Sequence, residues 1–127
     1  MLQHALYISV GAITGALLRW ALGLAFNGVF PLVPLGTLLA NLSGGYLIGV
    51  MLGLLALFPQ IPAEVRLFAI TGFLGSLTTF SSFSGEVVTL VQGRHLWAAC
   101  SVVGLHVVGS LAMTGLGVAS VTLLGRQ

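Results

Sequence analysis

The chain has 127 residues, 57% of them hydrophobic and 5% charged, with a formal net charge of +2. A soluble domain carries about 25% charged residues and the mean hydropathy here is +1.14, so a water-soluble globule is excluded. The charged set is four Arg and two Glu, scattered and without a basic patch, which argues against a nucleic-acid partner.

An integral membrane protein is what remains. A spanning helix takes about 20 apolar residues, so the length accommodates four helices and no extramembrane or nucleotide-binding domain. We read residues 1–127 as one all-α transmembrane domain, with helices at about 2–26, 35–57, 66–91 and 96–124. The 18 Gly suit helices that pack closely in a bilayer. The single Cys, Cys100, permits no intrachain disulfide. Met1-Leu-Gln-His4 lacks the basic stretch of a cleaved signal peptide, so the first apolar segment is expected to be retained.

The first segment carries one charge, Arg19, and ends at Asn27-Gly28, followed by Pro31 and Pro34, which break a helix. Arg19 is suited to an anchoring role, by snorkelling or by pairing with Glu86 or a helix C-terminus. The second segment has no charge and presents Thr37, Asn41, Gly45, Gly49 and Gly53 at four-residue spacing. Residues so spaced share a helix face. The Gly part of the ridge is a small-residue packing surface; Asn41 serves either as an interhelical hydrogen bond or as a polar group in a path.

The third segment departs from an ordinary span. Thr71 to Glu86 contains seven Ser or Thr, three Gly and one acid. Hydroxyls compete for backbone hydrogen bonds and Gly weakens a helix, so this segment is expected to be interrupted, in a place buried by protein or lining a wet cavity. Within it, Phe80 and Phe83 lie three residues apart beside the hydroxyls of Ser81 and Ser84. Aromatic rings carry a positive edge, so the pair is either packing or a way to stabilise a small anion without a cation. Glu86 ends the polar stretch near a vestibule. The fourth segment places His106, Ser110 and Thr114 on one face, either a polar track or contacts between helices. No second His or Cys stands at metal-ligand spacing, and no nucleophile–base set or paired acids support an enzyme.

If loops alternate sides, Arg66 and Arg126 face Arg19 and Arg94, two against two. The positive-inside rule then gives almost no orientation preference. Either the chain inserts in one ordinary orientation, or a chain this small, without an internal repeat, acquires the inverted symmetry of transporters by pairing with an inverted copy of itself.

Residues 36–45, Gly-Thr-Leu-Leu-Ala-Asn-Leu-Ser-Gly-Gly, and 71–86, Thr-Gly-Phe-Leu-Gly-Ser-Leu-Thr-Thr-Phe-Ser-Ser-Phe-Ser-Gly-Glu, resemble the signature segments of the Fluc fluoride channels. Residues 11–20 resemble that family's first helix, and the likeness covers essentially the full chain. It implies a dual-topology, antiparallel homodimer in the bacterial inner membrane that exports fluoride passively and protects against its toxicity, with two pores and a central sodium ion. Carried over by position, Asn41, Phe80, Phe83, Thr37, Ser81, Ser84, Ser110 and Thr114 would line the fluoride pathway, with Glu86 at a vestibule. The main-chain carbonyls of Gly75 and Thr78 would hold sodium. The alternative is a proton-coupled small multidrug transporter, which needs a membrane-embedded acid in its first helix; this chain has Arg19 there instead. A third reading, a non-transporting subunit that binds partner helices through its Gly stripes, leaves the polar row unexplained.

Overall fold

Apolar runs of this length satisfy their backbone polar groups internally as helices, and the described residues contain helices and no strand. The computed structural model describes residues 1–126; Gln127, at the end of the tail, lies outside them. Helices α1 (Leu2–Phe26), α2 (Leu35–Leu57) and α6 (Leu96–Leu124) are continuous. Between α2 and α6 run α3 (Ala63–Arg66), a π-helical segment (Leu67–Leu74), α4 (Gly75–Leu77) and α5 (Phe80–Gln92). Together they form a third span, Ala63–Gln92, and all four spans are long and apolar enough to cross a membrane. The third span bends at Thr78 and Thr79, whose backbones are extended (φ −80°, ψ 153° and φ −149°, ψ 119°).

Side chains supply the caps that the connections need. Pro34, at the N-cap of α2, has no side-chain acceptor, and Asn27 takes over: its Oδ1 accepts from Thr37 N–H at 3.1 Å. One otherwise orphaned donor of the first turn is thereby satisfied. Arg66 closes the second connection, donating to the carbonyls of Pro59 and Ile61. At the end of α5, His95 N–H donates to Leu90 O and Arg94 N–H to Val91 O, with Arg94 at φ 60°. That is the Schellman termination, with an Arg in the left-handed position Gly usually fills.

Small residues set the packing distances. On α2, Gly45 and Gly49 lie against the backbone of Ser110 and Thr114, and Gly117 of α6 lies against Tyr46 O in return. On α1, Gly11 and Gly15 lie against Phe68 O and Phe73 O, while Gly72 of the π segment lies against Ile8 O. Helix backbones approach this closely only where no Cβ stands between them. Two small apolar cores result. Ala40, Leu74 and Leu77 join α2 to the π segment and α4; Phe83, Leu90, Ala99 and Val102 join α5 to α6. Leucines and valines on the outer faces of α1 and α6 are exposed, as a lipid-facing surface requires.

Candidate functional site: an amide clamp on a bent span

The bend is held by one side chain. Asn41 Oδ1 accepts from Thr79 N–H at 2.7 Å, while Asn41 Nδ2 donates to Thr79 O at 3.0 Å. The amide thus pairs with an extended residue as a neighbouring strand would. The second Nδ2 hydrogen is directed at His106 Nδ1, 2.9 Å away on α6. One residue of α2 therefore ties the bend to the fourth span. Thr79 also caps α5, its Oγ1 accepting from Ser82 N–H at 3.0 Å.

These bonds divert donors from the helix ladder. Thr79 N–H would close a helical turn on Gly75 O, and Ser82 N–H would close one on Thr78 O; both are engaged on side chains instead. Ser76 O, in the last turn before the bend, accepts from Arg19 Nε at 3.0 Å. Among the pairings open to Arg19, the structure selects the helix C-terminus, where a cation is favoured by the helix dipole.

The predicted residues fall into two recesses that meet at Thr79. A recess of about 530 Å³ is lined by Asn41, Gly75, Thr78, Phe80, Phe83, His106 and Ser110. Its aromatic rings form a chain: Phe80 meets Phe83 edge-on at 5.5 Å and 63°, and Phe83 lies against the His106 ring at 4.7 Å. Phe83 is 7% exposed, whereas Phe80 is 78% exposed. A second recess, about 370 Å³, is lined by Arg19, Asn27, Thr37, Ser82 and Glu86. Across it Thr37 Oγ1 donates to Glu86 Oε1 at 2.6 Å, and Glu86 Oε2 is buried without a partner among the described residues.

Other predicted residues stand apart. Thr114 Oγ1 donates to Gly45 O and Ser110 O, both at 2.9 Å, within the α2–α6 contact. Ser81 is exposed, with its Oγ 3.3 Å from Thr79 Oγ1. Ser81 and Ser84 line neither recess. Thr79 and Asn27 are the residues that sequence reasoning passed over. A hydroxyl three residues before Ser82 is an N-cap signal, and it marks Thr79; nothing local marks Asn27, whose partner lies ten positions away.

Comparison with known proteins gives the family. The family model described as CrcB-like protein, Camphor Resistance (CrcB), matches residues 6–118. The chain belongs to the CrcB family. A relative from Tolumonas auensis named fluoride-specific ion channel FluC is 58% identical over 128 residues, covering 100% of both chains. One from Pseudomonas syringae pv. maculicola with the same name is 53% identical over 128 residues, again covering 100% of both. A third, from Haemophilus influenzae, is 58% identical over 117 residues, covering 92% of this chain and 73% of its own. These CrcB relatives are named as channels, a transport function and not an enzymatic one. With four apolar spans, this CrcB chain is a multi-pass membrane protein.

Proposed function

We propose that the chain is the subunit of a fluoride-specific ion channel, passing fluoride down its gradient across a bacterial inner membrane and so relieving fluoride toxicity. The observation that carries this is full-length similarity, at 53% and 58% identity, to relatives named fluoride-specific ion channels. The small multidrug transporter alternative finds no support: α1 holds Arg19 and no acid, and the relatives bear a channel's name.

The residues suit the task. Fluoride is small and strongly hydrated, and stripping its water in a low dielectric is costly. Asn41, Phe80, Phe83 and Ser110 line the larger recess; Thr37 and Glu86 line the smaller one and form its vestibule. Hydroxyls and positive ring edges replace part of the lost hydration without a fixed cation that would trap the ion. Thr114 would continue the row of Ser110 along α6, and Ser81 and Ser84, outside both recesses, would join the path beside the aromatic pair.

The working unit in this proposal is an antiparallel homodimer. Phe80 is 78% exposed and stands beside Val107 and Leu111, which are also exposed on the rim of the larger recess. A second, inverted copy would cover that rim and complete two pathways. The even Arg distribution allows both orientations to insert. In this reading the bend in the third span serves as a helix interruption: the N–H groups of Thr79 and Ser82 are engaged on side chains, and Gly75 O and Thr78 O are offered as hard oxygen ligands that suit a sodium ion. With the equivalent oxygens of a second copy they would form the set that holds it, and the cation would neutralise carbonyl charge at the dimer centre.

The test is fluoride efflux from liposomes containing the purified protein. Expected is fast, current-carrying efflux that an imposed voltage drives and chloride does not share. Electroneutral movement locked to proton counterflow would overturn the channel reading.

A further inference from the structure

His106 is the one buried residue of the larger recess whose chemistry the pathway above leaves unused. It is 5% exposed, and its Nε2 is buried without a protein partner among the described residues. The Asn41 amide decides what that atom is. Thr79 fixes the amide's orientation, because its N–H must meet Oδ1 and its carbonyl must meet Nδ2. The remaining Nδ2 hydrogen points at His106 Nδ1, so Nδ1 is the acceptor. In a neutral imidazole the other nitrogen then carries the proton. Nε2–H is a donor, held rigid by Asn41 on one side and by the Phe83 ring at 4.7 Å on another.

A buried donor left unmatched is costly, and native interiors rarely keep one. Both amide hydrogens of Asn41 are already engaged with Thr79 O and His106 Nδ1, so the amide itself has no hydrogen left for an ion. We propose that the Nε2–H of His106 is a direct hydrogen-bond donor to the small anion in the larger recess, with Asn41 acting as the positioning residue that sets its tautomer. Ser110, one turn further along α6 and lining the same recess, offers a hydroxyl on the same face. A ligand met by N–H and O–H donors and by ring edges is an acceptor without hydrogens of its own, which describes fluoride. This inference rests on the fluoride-pathway reading.

The experiment pairs flux with a spectroscopic readout on the full-length protein. In wild-type protein carrying ¹⁵N-labelled His, the free state should show His106 protonated at Nε2 and bare at Nδ1. Titration with fluoride, but not chloride, should shift the Nε2–H resonance. His106→Phe keeps an apolar ring and removes the donor; liposome efflux should fall by about tenfold or more, the scale of a lost hydrogen bond to a charged group. His106→Gln, whose amide nitrogen reaches the Nε2 position, should recover most of that loss. Each variant is compared at equal amounts of protein that elutes as wild type does on size exclusion. An Nε2–H resonance indifferent to saturating fluoride, or a free state protonated at Nδ1, overturns the inference, as does native flux in His106→Phe. Wild-type protein that moves no fluoride overturns the channel reading and the inference with it.

Discussion

At the scale of single residues, two positions separate function from packing. Phe80→Leu and Phe83→Leu remove the ring edge while keeping an apolar side chain, at a packing cost of about 1–3 kcal/mol. If ring edges solvate the ion, efflux should drop about tenfold for each ~1.4 kcal/mol added to the barrier, while assembly persists. Flux at wild-type rates in both variants, each assembled as the wild type is, would reduce the pair to packing. Asn41 carries more than one duty, so Asn41→Leu should cost stability as well as flux. It leaves Thr79 N–H and Thr79 O unpaired, at about 1–3 kcal/mol apiece. Thermal unfolding in detergent should therefore separate Asn41→Leu from the Phe variants; an unchanged midpoint would mean that the clamp at Thr79 is dispensable.

At the scale of elements, close approach between helices is the controlling quantity. A Cβ at Gly49 would collide with the carbonyl of Thr114, a backbone atom that cannot swing aside. Gly49→Ala should thus push α2 from α6 and cost about 1–3 kcal/mol. A Cβ at Gly115 on α6 would meet nothing within 4 Å among the described residues, and Gly115→Ala should gain up to about 1 kcal/mol of helix propensity. Unfolding of the two variants side by side tests this, and a loss at Gly115 would place that residue against a second subunit. The bend follows the same local logic. Hydroxyls and Gly between Thr71 and Glu86 weaken the helix, but only the Asn41 amide, contributed by another span, holds Thr79 extended.

At the scale of the whole molecule, charge and metal make separate predictions. If loops alternate sides, the four Arg divide two against two, and reporters fused to the C-terminus should be found on both faces of the membrane in comparable amounts. Lys residues added to the tail should force one orientation; a native chain with reporters on one face only would exclude the antiparallel dimer. Removing sodium by exchange into a large organic cation should lower flux and thermal stability together, with recovery on its return. Thr78→Ala should leave that response largely unchanged, because the proposed ligand is the carbonyl and the Thr78 hydroxyl is spent on Leu74 O at 2.8 Å. Sodium-independent flux and stability would count against the central cation.

Four spans, their all-helical character and the Gly ridge of α2 were legible in the sequence, because hydropathy and spacing are local properties that the bilayer reads directly. The candidate polar residues were legible as types, since hydroxyls, an amide and a carboxylate stand out against an apolar chain. Their partners were not. Arg19 had several plausible ones, and only the packing of α1 against the third span brings it to Ser76 O. Asn41 meets Thr79, 38 positions away, and His106, 65 positions away. An N-cap position is a local mark on Thr79, but nothing local says that its backbone pairs with Asn41. Sequence alone determines which groups must find hydrogen bonds in an apolar medium. Tertiary structure decides which group satisfies which, because a hydrogen bond depends on a few tenths of an ångström between helices that are far apart in the chain.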